Sequence, residues 1–187
     1  MNRKRPMTKA DDVRETPPKL FEARDALHHF TLDACSLHSN AKCRRYYTQQ
    51  GLFERLGSDI LAIDDRSDGL TGPWHGRIWC NPPFSELWQW VAKAWSECAA
   101  GNPDMIDFLS PATRCEQDGW QRLVEPYRDG KRVLVPGWRL STTFLGGRAH
   151  FLKDGKPIVN EDPSSENFGK KSSPKFGCVM LTWTQER

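Results

Sequence analysis

The chain has 187 residues, 37% hydrophobic and 27% charged, with a mean hydropathy of −0.69. That length and polarity describe one domain with a sizeable core. They exclude a bilayer-spanning protein, since no apolar run approaches the ~20 residues a span needs and no signal-peptide pattern is present. The net charge of +3 permits nucleic-acid binding without demanding it.

Taken in chain order, residues 1–13 carry Arg3, Lys4, Arg5 and Lys9 among polar neighbours and read as a disordered basic arm. Residues 14–187 then read as a single domain. Thr16-Pro17-Pro18 opens a helix, with Thr16 as N-cap, Pro at the first helical position and Leu20, Phe21 and Leu27 near helical spacing. Phe30-Thr31-Leu32 reads as a strand ending at Asp33, and Gln49 to Leu56 is compatible with a helix. Ile78-Trp79-Cys80 is a short apolar strand. It runs into Asn81-Pro82-Pro83-Phe84, and a helix follows from Ser85 to near Gly101, with Leu87, Trp88, Val91, Ala92 and Trp95 in its apolar periodicity. Further strands are expected over Met105 to Leu109 and Arg132 to Val135, and a helix over residues 117–126. The last third looks β-rich, with strands at Phe144 to Phe151 and Phe176 to Trp183 around a long loop from Lys153 to Pro174. Strands alternating with helices imply a mostly parallel, three-layer α/β sheet.

Asn81 to Phe84 carries the most chemistry. An exocyclic ring amine is a poor nucleophile because its lone pair is delocalised. The Asn81 side-chain oxygen and the Pro82 carbonyl, each accepting one N–H, would favour a pyramidal nitrogen whose lone pair faces an electrophile. Two prolines fix φ and remove backbone donors, leaving a stiff array of acceptors, and Phe84 offers a face for stacking a base. Asn-Pro-Pro also occurs as a plain turn. A strand before it and a helix after it make the usual ligand-binding geometry of an open α/β sheet.

The six cysteines, Cys35, Cys43, Cys80, Cys98, Cys115 and Cys178, contain no CxxC pair and read as free thiols in a reducing compartment. Cys35, His38 and Cys43 lack a fourth ligand at a standard spacing, so no metal site is expected. Trp74 and Trp138, in turn-like segments beside prolines, are candidates for base or cofactor contact. The basic residues of the second half, among them Arg139, Arg148, Lys153, Lys156, Lys170, Lys171 and Lys175, suggest a phosphate-facing surface.

Several segments together resemble the phage-type Dam DNA N6-adenine methyltransferases. They are Thr16-Pro17-Pro18, Thr31-Leu32-Asp33-Ala34-Cys35 with Asn40-Ala41-Lys42-Cys43, Asp68-Gly69-Leu70 with Trp74, Trp79 to Phe84, Gly147-Arg148-Ala149-His150-Phe151, and Pro174-Lys175-Phe176-Gly177. The resemblance implies a Rossmann-like methyltransferase fold, S-adenosylmethionine as methyl donor, adenine N6 of DNA as acceptor, and a phage or prophage protein of the bacterial cytoplasm. It implies that Asn81, Pro82, Pro83 and Phe84 are catalytic, that Thr16 and Pro17 lie against the methionine part of the cofactor, and that Asp33 sits near its methionine and ribose end. It further implies that Asp68, at the end of the strand before the catalytic one, accepts from the cofactor's adenine amine. Asp59, Asp64 and Asp65 are alternatives for that role. General methyltransferases place a Gly-rich turn after the first strand; here Asp33 leads into Ala-Cys-Ser-Leu-His-Ser-Asn, and the phage-type family resembles this chain in lacking it. Other readings are N4-cytosine transfer, methylation of a protein glutamine amide, and a catalytically silent DNA-binding prophage remnant. Oligomeric state is not legible.

Overall fold

The computed structural model describes residues 14–64, 66–160, 163–172 and 174–186. The basic arm expected over residues 1–13, and Asp65, lie outside the described residues. Helix α1 (Pro18–His28) leads into strand β1 (Leu32–Asp33), then β2 (Arg45–Thr48), β3 (Gly51–Leu56), β4 (Asp59–Asp64) and β5 (Gly76–Cys80). Helix α2 (Leu87–Ala100) follows a single 3-10 turn over Phe84–Glu86. Next come β6 (Pro103–Pro111), α3 (Asp118–Leu123), β7 (Trp138–Phe144), the short strands β8 (Leu152–Lys153) and β9 (Lys156–Pro157), and β10 (Cys178–Gln185).

Eight strands form one sheet in the order β4-β3-β2-β1-β5-β6-β10-β7. The centre, β2-β1-β5-β6, is parallel. The β2–β3, β3–β4, β6–β10 and β10–β7 neighbours are antiparallel. The expectation of a mostly parallel sheet is therefore corrected to a mixed one: a parallel core with antiparallel strands added at each edge. β8 and β9 pair separately.

Cross-strand register sorts the two faces. Trp79, Asp107 and Thr182 lie in one row, and Ile78, Ile106 and Trp183 in the next. α1 covers the first face: Phe21 meets Trp79 edge-on at 5.4 Å, and Arg24 grips Asp107 at 2.7 and 3.0 Å, while Thr182 Oγ1 donates to the same carboxylate at 2.6 Å. α2 covers the second, with Trp95 edge-on to Trp183 at 5.6 Å. Helices on opposite faces make the expected three layers.

α2 forms where its apolar residues repeat at helical spacing. It buries Leu87, Trp90, Val91, Ala94, Trp95 and Cys98 and stops at Gly101, whose φ of 70° closes the last turn. Ala92, expected inward, is exposed, and Trp88 is half-buried against Gln117 and Gly119 of the α3 region. α1 is capped by Pro17 rather than Thr16, with no side-chain cap bond. Its apolar period is short: Leu20 and Phe21 pack on the core, but Leu27 is exposed.

Three further elements differ from the sequence reading. Gln49 to Leu56 is not helical; Thr48 Oγ1 receives the Gln50 amide at 3.0 Å, and Gly51 starts β3 against β2. Its Leu, Glu and Arg are good helix formers, but pairing with the buried Tyr46 and Tyr47 decides the outcome. Arg132 to Val135 is not a strand, and Val133 and Leu134 are exposed. The strand begins after Pro136-Gly137, at Trp138, where β10 supplies partners. The strand expected over Phe144 to Phe151 ends at Phe144, and Gly146-Gly147 interrupts the chain before β8.

Candidate active site

The sheet order reverses at β1: the chain continues to β2 on one side, and later to β5 and β6 on the other. Carboxyl ends of parallel strands on either side of such a reversal leave a crevice, where ligands of open α/β sheets bind. Here β1 ends at Asp33 and β5 at Cys80, in register through Asp33 and Trp79. Ala34 N extends that ladder to Trp79 O at 2.8 Å. Asn81 emerges from β5 beside the loop that emerges from β1.

A cavity of about 220 Å³ opens at this point. Its lining draws on five segments distant in sequence: Arg14 to Thr16, Asp33 to Leu37 with Asn40 and Lys42, Tyr47 to Gln49, Asp68 to Leu70, and Trp79 to Trp90 in part. Of the residues singled out from sequence, Thr16, Asp33, Asp68, Asn81 and Pro83 line it; Pro17, Pro82 and Phe84 do not. Trp74 and Trp138 do not reach it either. Trp74 is fully buried with its indole N–H on Gly69 O at 2.7 Å, and Trp138 is buried at the start of β7.

The Asn81 amide is held in one orientation. Its Nδ2 donates to the Arg14 carbonyl at 2.7 Å. The reverse orientation would set two oxygens against each other, so Oδ1 faces away from Arg14. Oδ1 is buried and has no hydrogen-bond partner among the described residues. An unmet acceptor of this kind is uncommon in folded proteins and points to a functional group. Arg14 is itself pinned. Its guanidinium lies over the rings of Phe151 and Phe176 at 5.9 and 5.6 Å, while Glu15 pairs with Leu152 through both backbone groups and its carboxylate accepts from Gly155 N. Sequence reasoning missed Arg14 and Glu15, because the relevant atoms are backbone groups and a partner more than 130 residues away.

Phe84 departs from its expected role. Its ring is 3% exposed and packs edge-on against Phe151 and Phe176, each at 5.9 Å. In this structure no open face remains for a base, and the ring ties the loop of Asn81 to Phe84 to the segments around residues 151 and 176.

Asp33 builds the loop that has no glycine. Its Oδ1 accepts from Cys35 N at 3.2 Å and its Oδ2 from Lys42 N at 2.9 Å, so one carboxyl folds the loop back on itself. Leu37 N to Asn40 Oδ1 and Ser36 N to Tyr47 O complete it. No residue from 34 to 44 has a positive φ, so none has to be glycine. Burial pushes the Asp33 carboxyl up to about 7, against the pull of the Lys42 and Cys35 amides. The close approach expected from a Gly-rich turn comes instead from the facing loop. A Cβ on Gly69 would stand 2.0 Å from the Ala34 carbonyl oxygen and 2.9 Å from the Trp90 ring.

Asp68 is not at a strand end. It lies in the turn after β4, an edge strand outside the parallel core, and its Oδ1 accepts from Leu70 N, Thr71 N and Thr71 Oγ1 at 3.0 Å each. Of the alternatives, Asp59 and Asp64 belong to that edge strand and do not line the cavity. Cys80 is fully buried, and burial, with Cys35 and Asp33 nearby, raises its thiol well above the ordinary range. It is therefore no nucleophile for cytosine C5 chemistry.

Among the described residues, no three His, Cys, Asp or Glu side chains gather as a metal-binding group, and no helix is long and apolar enough to cross a membrane. No curated protein matches the chain. Residues 4–126, which run from ahead of α1 to just past α3 and so carry every cavity-lining segment, match the family model of the DNA N-6-adenine-methyltransferases (Dam). The chain therefore belongs to the Dam DNA N-6-adenine-methyltransferase family.

Proposed function

We propose that this protein methylates adenine N6 in DNA, with S-adenosylmethionine as donor, on a base turned out of the duplex. The observation that carries this reading is the Asn81 amide, anchored through Nδ2 with its Oδ1 left as a buried, unmet acceptor. Asn81 Oδ1 takes one amine proton in a hydrogen bond and the Pro82 carbonyl takes the other, so the nitrogen lone pair turns out of the ring plane. The cofactor supplies an electrophilic methyl group on a sulfonium. Positioning and electrostatic stabilisation suffice for such a transfer, and the chain needs no covalent nucleophile.

The residues present suit that cofactor. Asp33 and Glu86 offer carboxyls to a cationic ligand, Thr16 suits its methionine part, and the cavity is bounded where Gly69 approaches Ala34. Its volume is slightly under the ~300–1,000 Å³ of typical ligand pockets, and the Arg14–Thr16 segment forms part of its wall. We take the parallel core β2-β1-β5-β6 as Rossmann-like, and residues 14–187 as one methyltransferase domain behind a basic arm. We further place the protein in the cytoplasm of a bacterium carrying a phage or prophage. Phe151 and Phe176 join the catalytic loop to the stretch holding Arg148, Lys153, Lys156 and Lys175, which we assign to DNA phosphates. Phe84 acts first as the packing centre of that junction, and stacks on a base only where Phe151 and Phe176 withdraw.

The test is nucleoside analysis of DNA treated with the protein and methyl-labelled S-adenosylmethionine. N6-methyladenine is expected, with activity lost in a folded Asn81→Ala variant. Label in N4-methylcytosine, or full activity in Asn81→Ala, refutes the assignment.

A further inference from the structure

Four buried side-chain polar atoms have no hydrogen-bond partner among the described residues: Arg14 Nε, Asn81 Oδ1, Trp90 Nε1 and Trp183 Nε1. The first three belong to residues that line the cavity; Trp183 instead sits in the core against Trp95 and Phe108. Unmet polar groups are scarce in folded proteins, so their gathering around one cavity points to a ligand that meets them. The Asn81 oxygen already has a role in the proposed reaction. Trp90 has none.

Trp90 is 6% exposed and stacks on Trp74 at 6.2 Å with an interplanar angle of 26°. The two indoles differ in one respect. Trp74 Nε1 donates to Gly69 O at 2.7 Å, whereas Trp90 Nε1 has no acceptor among the described residues. The Trp90 ring edge, Cζ3 and Cη2, abuts Gly69, next to Asp68. That benzo edge, the end of the indole away from Nε1, is the part of Trp90 that meets the loop from Asp68 to Leu70, and both line the cavity, while Arg14 and Asn81 are joined to each other by the Arg14 carbonyl.

We infer that the Trp90 indole N–H is a cofactor-binding donor, which meets an acceptor atom of the adenosyl half, a purine nitrogen or a ribose oxygen. This rests on the proposed use of S-adenosylmethionine. The methionine and methyl end belongs with Thr16 and Asn81, so the adenosyl half falls to the loop that Trp90 packs against. A buried donor contributes selectivity: an analogue without the matching acceptor leaves it unmet.

The experiment is calorimetric titration of S-adenosylhomocysteine into the wild type and Trp90→Phe, with thermal melts of both free proteins. Phe keeps one ring against Trp74 but removes the donor together with the five-membered ring, so β-(3-benzothienyl)alanine at position 90, which keeps the ring outline and puts sulfur in place of N–H, is titrated beside it. With the benzothienyl side chain, affinity is expected to fall roughly 5- to 10-fold, the usual worth of one hydrogen bond, with the melting temperature of the free protein unchanged or raised because an unmet donor is gone; Trp90→Phe melts lower for the cavity it leaves. A series of 1-, 3- and 7-deaza and 2′- and 3′-deoxy analogues then identifies the acceptor. One of them should bind the wild type weakly, and bind both proteins alike. Equal affinity of the wild type and the benzothienyl variant for S-adenosylhomocysteine overturns the inference alone, as does an analogue series that discriminates alike in both proteins. A folded wild type that does not bind S-adenosylhomocysteine sinks the cofactor reading itself.

Discussion

Gly69→Ala tests how the cavity is walled. The added Cβ would lie 2.0 Å from the Ala34 carbonyl oxygen and 2.9 and 3.1 Å from Trp90 ring atoms, where ordinary contact begins at 3.4 Å. The backbone oxygen cannot swing aside, because Ala34 N is tied to Trp79 O and Asp33 is clamped by two amides. The loop of Gly69 must therefore withdraw by more than an ångström, against the Trp74 Nε1 bond to Gly69 O. Overpacking of this severity falls at the upper end of the ~1–3 kcal/mol range. For a chain of this size that lowers the melting temperature by about 4–12 °C. The same shift displaces Asp68 and Leu70 from the cavity, so affinity for S-adenosylhomocysteine drops as well. Gly146→Ala is the control: its Cβ meets nothing within 4 Å, and its φ is not positive. Thermal melts and calorimetric titration of both variants decide the matter. If Gly69→Ala melts with Gly146→Ala and binds as the wild type does, the loop does not bound a ligand site as described.

Two further outcomes follow from buried charges. With the Asp33 carboxyl raised to about 7 by burial, a cationic ligand favours its ionised form. Cofactor affinity should then climb as pH rises from about 6 and level off above about 8, and Asp33→Asn should flatten the profile; an equally steep rise in that variant assigns the titration elsewhere. Arg24→Met leaves the fully buried Asp107 carboxylate with Thr182 Oγ1 but no cation. Denaturant titration should show a loss of about 3–5 kcal/mol, most of it recovered in Arg24→Met with Asp107→Leu. A single variant as stable as the wild type would show that the pair is dispensable.

Much of the centre of the fold was legible. Ile78-Trp79-Cys80 is apolar and short, Asn81-Pro82-Pro83 cannot continue a strand, and Leu87, Val91 and Trp95 repeat at helical spacing, so β5, the loop after it and α2 each have a local cause. The periphery had none. Gln49 to Leu56 carries residues equally at home in a helix, and only the Tyr46 and Tyr47 strand beside it makes β3. Ser141, Thr142 and Thr143 give β7 no apolar rhythm, and its register comes from β10 more than 30 residues on. At the site, residue types were readable but contacts were not. Asn81 declared itself, whereas the Arg14 carbonyl that orients it could have belonged to any amino acid. Trp90 lay outside the apolar periodicity read for α2, yet it is buried, and its missing acceptor exists only in three dimensions.

The position of β10 has a consequence for folding. It follows every other strand in chain order, yet it lies inside the sheet, paired with β6 on one side and β7 on the other. Until it inserts, β6 has an open apolar edge and β7 has no neighbour in the sheet. The nascent chain must therefore hold those two places apart while the parallel core assembles, and closure awaits a long-range antiparallel pairing of the kind that slows folding. Before that step β6 is an exposed edge of the sort that invites intermolecular pairing, and β7 stays undocked.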